Sequence, residues 1–230
     1  MRHNWKVNLK EMSKLVYVEK LGRMRYLPAW ELQKRIAARV MANVKEGKEA
    51  RHTLLLLEHY PVFTTGIRKS DYTPEVEAQL KGTGADFHRT NRGGLITFHG
   101  PGQLIAYPIL HLSSFSPGIK WYVCALERTV IRTLRGLGIH AHTSPHTGVW
   151  VGENKICALG LQGRHVTTHG LGLNCNTDLQ WFTHIVPCGI PDKGVTSVTQ
   201  ELRRETTISQ VEPHFLKAFA EVFKCQLVFS

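Results

Sequence analysis

The patterning of the chain predicts an α/β (α+β) protein with a mixed, mostly antiparallel sheet and flanking helices. Three observations carry that expectation. Strand-like and helix-like apolar periods alternate along the whole chain, glycine-bearing turns separate the β-rich runs, and no internal repeat or low-complexity linker interrupts them. At 230 residues, 42% hydrophobic and 20% charged, the chain is long enough for one sizeable core, so a single domain over 15–230 is expected.

Each element has its own reason. Leu15 to Leu21 reads as a strand. Pro28 opens a helix whose apolar residues Ile36, Ala37, Val40, Met41 and Val44 recur at helical spacing until Gly47. "HTLLLLEHYPVFTTG" reads as a strand running into a loop. Thr73, Pro74, Glu75 and Glu77 mark a short helix start, because a cap oxygen and acidic side chains suit the exposed first-turn amides. "DFHRT", "LITFHG" and "QLIAYPILHL" are three β-like runs, with Pro108 demoting part of the last to an edge or bulge. Ile119, Tyr122, Val123, Leu126, Val130, Leu134 and Leu137 form one apolar helical stripe that Gly136 and Gly138 end. "GVWVGENKICALGLQG" reads as a hairpin turning at Gly152-Glu153-Asn154, and "HVTTHGLGLNCNT" as a further strand. Phe215, Leu216, Phe219, Val222 and Phe223 mark a last helix before the terminal strand "QLVFS".

Composition excludes several classes. The longest aliphatic run, Leu54 to Leu57, is far shorter than the ~20 residues of a membrane-spanning helix, so no membrane insertion is expected. Five cysteines, with no CxxC pair, argue against a disulfide framework and a four-thiolate zinc site, and fit a reducing compartment. His165, His169 and His184 lack zinc-enzyme spacing, so no metal is expected. The net charge of +11 implies an attraction to something acidic. Because the basic residues are scattered and no nucleic-acid-binding signature accompanies them, a solvated basic surface or a docking face for an acidic protein is expected rather than nucleic-acid binding. Residues 1–14, with four bases against Glu11, read as an import segment or a frayed, disordered N-terminus.

Chemistry-bearing residues concentrate in three places. Arg89, Arg92, Gly93, Gly94, His99, Gly100, Gly102 and Gln103 fall within fifteen residues; glycines so placed either let a ligand approach the backbone or make the tight turns of a hairpin. In "KICALGLQG", strict alternation puts Lys155, Cys157 and Leu159 on one strand face and Ile156, Ala158 and Gly160 on the other. A lysine there is either an edge residue that blocks aggregation or a cation awaiting an anion such as a thiolate. In "VPCG", Pro187 and Gly189 can hold Cys188 rigidly on a turn, as a buried filler or as a nucleophile.

The segments "EHYPVFTTG", "RGGLITFHGPGQLIAYPIL", "GVWVGENKICALGLQ", "HGLGLNCNTDLQWFTHIVPCG" and "GVTSV" resemble, in order, the signature blocks of lipoyl(octanoyl) transferases of the lipoate-protein ligase B type, and the wording is most similar to the animal mitochondrial members. The resemblance runs from about Leu15 to the last helix. It implies the α/β core shared with biotin and lipoate ligases, a mitochondrial matrix location (or a bacterial-type cytoplasm), no cofactor, and transfer of octanoyl from octanoyl-acyl carrier protein to a lysine of lipoyl domains, those of 2-oxoacid dehydrogenase subunits and of the glycine cleavage H protein. Residue by residue, it implies Cys188 as acyl-accepting nucleophile and Lys155 as its activating partner. It implies acyl-chain binding by Arg92, Gly93, Gly94, Leu95, Ile96, Thr97, Phe98 and His99, and by Ala158, Leu159, Gly160, Gly170, Leu171 and Gly172.

With those roles, Ile96, Phe98 and Leu159 are expected to line the acyl slot, and backbone amides of Leu159, Gly160 or Cys188 to stabilise the oxyanion. Arg68, Lys69, Arg89 and Arg128 are expected on a basic face toward the acidic protein substrates. An ATP-dependent lipoate or biotin ligase and an amidotransferase relaying octanoyl between proteins are the competing readings. His142 and His146 have no assigned role, and Cys157 and Cys175 are expected near the site, where they could confuse thiol labelling.

Overall fold

In a computed structural model, the described residues are 14–67, 72–116, 118–186 and 193–229. Cys188, Arg68 and Lys69, named above, and the 1–13 segment lie outside them.

The larger sheet is built around four strands paired antiparallel. β2 (His52–His59) pairs with β6 (Gln103–Ile109), β6 with β9 (Thr168–Asn174), and β9 with β8 (Asn154–Gln162). Parallel strands extend both sides. β1 (Lys14–Met24) and β11 (Cys225–Phe229) follow β2, and the short β10 (Gly194–Val195) follows β8. β7 (Val149–Val151) closes the expected hairpin onto β8. The sheet is therefore mixed with an antiparallel centre.

Strand periodicity decides what each face carries. Leu54 and Leu56 on β2, with Leu104 and Ala106 on β6, point to one face, where α3 (Ile119–Gly136) and α5 (Ile208–Phe223) cover them with Tyr122, Leu126, Val130, Leu134, Phe215 and Phe219. Leu55, Leu57, Ile105, Tyr107 and Ile109 point to the other, beneath α1 (Tyr26–Lys45) through Ala29 and Val40. The α3 stripe read from the sequence is buried at Tyr122, Leu126, Val130 and Leu134 and emerges at Ile119, which is 41% exposed.

Two expectations change. The stretch after His59 is a strand rather than a loop: Pro61 breaks the chain direction, and β3 (Val62–Thr65) pairs with β4 (Asp86–Arg89) and β5 (Thr97–His99) in a separate three-stranded sheet. That sheet packs Phe63, Phe87, Ile96 and Phe98 with Leu80 of α2 (Pro74–Gly82) and Phe182 of the 3-10 turn Leu179–His184. Pro108 is neither at an edge nor at a bulge. It lies in a central strand opposite Leu54, and is tolerated because β9 pairs with β6 only as far as Ala106, so no amide is required of it on that side. The Pro108 carbonyl accepts the hydroxyls of Thr167 at 2.7 Å and Tyr122 at 3.2 Å.

Candidate functional site

A cavity of about 330 Å³ lies where β8 and β9 meet the loop before β5. Its floor follows from register. Ala158 stands opposite Gly172 and Gly160 opposite Gly170, so four cavity-lining positions across two strands carry nothing larger than a methyl group. Space for a side chain is absent at three of them: a Cβ on Gly170 would run into the Ala106 carbonyl oxygen, one on Gly160 would meet Arg92 Cδ at 2.7 Å, and one on Gly172 would meet Gln103 Oε1 at 2.8 Å. The glycines therefore let the cavity and its polar wall coexist.

The Arg92 loop covers this floor. Arg92 is buried and donates to the Thr64 carbonyl (2.6 Å), the Thr64 hydroxyl (2.9 Å) and the Gly93 carbonyl (3.0 Å), while the Gly93 amide donates to Leu161 O at 2.8 Å. These bonds tie the small sheet to β8 and draw Gly93, Gly94 and Leu95 over the slot. Thr97 and His99, alternate residues of β5, also line it. Ile96 and Phe98 do not. They belong to the core of the small sheet, where Phe98 stacks on Trp181 at 4.9 Å between centroids, because period-2 alternation turns them away from Thr97 and His99. The expected wall of Ile96, Phe98 and Leu159 is corrected accordingly, and Leu159 alone of the three lines the cavity.

Lys155 lines the same cavity and is 5% exposed. Strict alternation would set it on the Cys157 face; a β-bulge prevents that. Val149 pairs with Cys157 but Trp150 pairs with Lys155, so Ile156 is the extra residue. Ile156 and Cys157 both enter the core against α3, and Lys155 is re-aimed to the face of Ala158. Its ammonium donates to the Thr147 carbonyl at 3.2 Å and lies 4.7 Å from the Trp150 ring centroid, while the Trp150 indole N–H donates to His146 O at 3.1 Å. The loop containing His146 thus holds Lys155, a role its sequence did not disclose. Among the described residues Lys155 forms no ion pair, and no carboxylate lines the cavity.

Sequence reasoning missed the aromatic wall. Tyr26, Tyr107 and His169 line the cavity beside His99. The Tyr26 hydroxyl and His169 Nδ1 are 3.3 Å apart, His169 Nε2 lies 3.0 Å from Asn91 Oδ1, and His59 Nε2 is 2.9 Å from the Tyr107 hydroxyl. His169 adopts φ +58 within β9, a left-handed conformation costly for a side-chain-bearing residue. Its backbone amide donates to Gln33 at 2.7 Å, which helps hold it there. Burial, with neighbouring charges adding to it, lowers the imidazole pKa of His99 to about 3 and of His169 to about 4; His59 is lowered to about 4 by burial. All three are neutral near pH 7. Gln103 donates its amide N–H to Asn174 Oδ1 (2.8 Å), which leaves its oxygen, 2.7 Å from His99 Nδ1, to accept a hydrogen bond from that ring's N–H. Burial also pushes the Cys157 thiol well up and the Cys175 thiol to about 12, so both are inert packing residues. Leu159 and Gly160, the expected oxyanion donors, lie inside the β9 ladder opposite Leu171 and Gly170. Among the described residues no cluster of three His, Cys, Asp or Glu side chains could hold a metal ion, and no helix is long and apolar enough to cross a membrane.

The mixed sheet thus carries a glycine-floored cavity walled by apolar and neutral aromatic groups, with the buried side chains of Arg92 and Lys155 beside them. The lipoyl protein ligase A/B catalytic domain family matches residues 25–220, and the chain belongs to that family. It is 54% identical over 211 residues to the zebrafish (Danio rerio) protein named octanoyl-acyl-carrier-protein:protein N-octanoyltransferase LIPT2, mitochondrial, covering 91% of this chain and 93% of that one. It is 45% identical to the Homo sapiens protein of the same name, over 93% of this chain and 95% of that one. The octanoyltransferase of Rubrobacter xylanophilus is 41% identical, over 94% of this chain and 97% of that one. Among solved structures, lipoate-protein ligase A bound with ATP superposes with a TM-score of 0.69 at 16% identity, over 95% of this chain and 89% of that one, a likeness of fold. The protein is a mitochondrial acyltransferase of this family.

Proposed function

We propose that the protein transfers octanoyl from the thioester of acyl carrier protein to the ε-amine of a lysine on lipoyl domains, including those of 2-oxoacid dehydrogenase subunits and the glycine cleavage H protein, through a thioester on Cys188. The observation that carries this reading is the buried Lys155 ammonium, without a carboxylate partner among the described residues, on the wall of a cavity of about 330 Å³ that Leu159 and Leu171 also line.

In the first step the Cys188 thiolate attacks the thioester carbonyl. The carrier thiol leaves, and Lys155 supplies its proton. In the second, the acceptor amine attacks the new thioester, Cys188 leaves as thiolate, and Lys155 takes the proton the amine loses. An ammonium in a poorly hydrated site favours a thiolate that at the ordinary cysteine pKa of ~8.5 is a minor species near pH 7. The described chain on the downstream side of Cys188 supports the pairing: Val195 of β10 pairs with Lys155, and Thr196 N donates to Lys155 O at 3.0 Å. The donor already holds thioester energy, so no ATP is needed. Burying the seven carbons beyond the carbonyl along Leu159, Leu171 and the glycine floor contributes on the order of 5 kcal/mol, at ~0.8 kcal/mol per methylene.

The test is intact-mass measurement after mixing the protein with octanoyl-acyl carrier protein without ATP. An octanoyl adduct is expected on the wild type and not on Cys188→Ala. Persistence of the adduct in that variant, or a requirement for ATP, overturns the mechanism.

A further inference from the structure

Every solvent-exposed charge on α3 is positive. The exposed positions of this helix are Ile119, Lys120, Cys124, Arg128, Arg132, Arg135 and Gly136. Its one acid, Glu127, is turned inward and accepts the Gly148 amide at 3.1 Å, 7% exposed. Arg132 is paired with Glu221 of α5 at 2.9 Å, which leaves Lys120, Arg128 and Arg135 without an ion pair among the described residues. The stripe starts at the slot, because Ile119 and Val123 of the same helix line the cavity and Ile119 is partly open to solvent. It then recedes: at 1.5 Å per residue, Arg128 lies roughly 8 Å and Arg135 roughly 18 Å along the axis from Val123.

We infer that the exposed face of α3 is the docking surface for the acidic carrier domain that delivers the acyl thioester. This rests on the proposed function. Charge complementarity selects an acidic partner. The distance selects which one: a lysine side chain brings its own domain to the mouth of the slot, whereas a thioester on a pantetheine arm lets the carrier body sit back along a stripe of this length. The face named from sequence is revised, since Arg89 is engaged with Glu77 and the Tyr72 carbonyl, and Arg128 alone of the described residues named lies on the stripe. α1 also exposes two bases without an ion pair among the described residues, Arg35 and Arg39, but its one cavity residue, Tyr26, is 2% exposed, so no exposed residue of α1 lines the cavity as Ile119 of α3 does. It serves as a charge-matched control.

The experiment compares wild type, Arg128→Glu/Arg135→Glu and Arg35→Glu/Arg39→Glu in the acylation half-reaction, with octanoyl-acyl carrier protein and with octanoyl-pantetheine. For the α3 variant the expected result is a KM for the protein-borne donor raised about tenfold at low salt, narrowing as salt rises. Its rate with octanoyl-pantetheine, and transfer from the acylated enzyme to a lipoyl domain, are unchanged, and the α1 variant behaves as wild type. An unchanged donor KM, an equal loss with octanoyl-pantetheine, an equal effect of the α1 variant, or a defect confined to the lipoyl acceptor overturns the assignment. Failure of the wild type to acquire an adduct from either thioester refutes the proposed function instead.

Discussion

Lys155 shows how much one residue owes to its backbone. The bulge at Ile156 turns its side chain out of the α3 core and into the cavity, where Thr147 O and the Trp150 ring hold it. Lys155→Met keeps most of the volume and removes the charge. It should fold, and the pH midpoint for adduct formation should move up toward an ordinary thiol, with the rate near pH 7 falling at least about tenfold; an unchanged pH profile would remove Lys155 from the chemistry. Gly160 gives a second residue-level test. A valine there meets Arg92, and the expected outcome is adduct formation slowed about a hundredfold with stability lowered by about 1–3 kcal/mol, read by single-turnover mass measurement and urea unfolding. Among the thiols, iodoacetamide should leave Cys157 and Cys175 unlabelled near pH 7, because burial keeps both protonated and covered. Peptide mapping that found either one labelled in folded protein would contradict this.

At the scale of elements, the helices were legible where a regular period met a clear stop. The α3 stripe and its glycine end, the Thr73 cap of α2 with its hydroxyl 3.4 Å from the Val76 amide, and the Gly152 turn of the β7–β8 hairpin all follow local chemistry. Leu126 sits fully buried in the α3 stripe, and Leu126→Ala should cost about 2–5 kcal/mol in urea unfolding, because the sheet beneath cannot close over the void. What local chemistry could not supply was pairing. β3 reads as a loop after β2 until its partners β4 and β5 are known, and Pro108 reads as an edge or bulge residue until β9 is seen to pair with β6 only as far as Ala106. The turn of Ile96 and Phe98 away from the slot has the same origin: the block containing them is contiguous in sequence, but a strand offers only alternate residues to one side.

At the scale of the whole molecule, burial of neutral histidines ties stability to pH. His52, His59 and His169 are lowered to about 4 and His99 to about 3, each chiefly by burial. Their unfolded value is near 6.5. Below it, the unfolded chain takes up protons that the folded protein refuses, so this contribution is fully present above pH 6.5 and is lost as pH falls toward 4. The unfolding free energy from urea titrations should therefore drop between pH 7 and pH 4, by several kcal/mol in order of magnitude. His59→Gln should be less steep over that range, and an equal slope would show that His59 is not among the groups responsible.

The sequence by itself determined the class of fold, the helix stripes and turns, and the glycine-bearing blocks that meet at the cavity, since each depends on residues close together in the chain. It named most of the slot: Arg92, Gly93, Gly94, Leu95, Thr97, His99, Lys155 and the small residues of β8 and β9 surround one cavity. Only the tertiary structure decided which alternate residues face that cavity and that Tyr26, Tyr107 and His169 complete its wall. It also decided that the α3 bases run outward from its edge. The physical reason is that these depend on strand register, on one bulge and on the packing of helices from distant parts of the chain, none of which has a local signature.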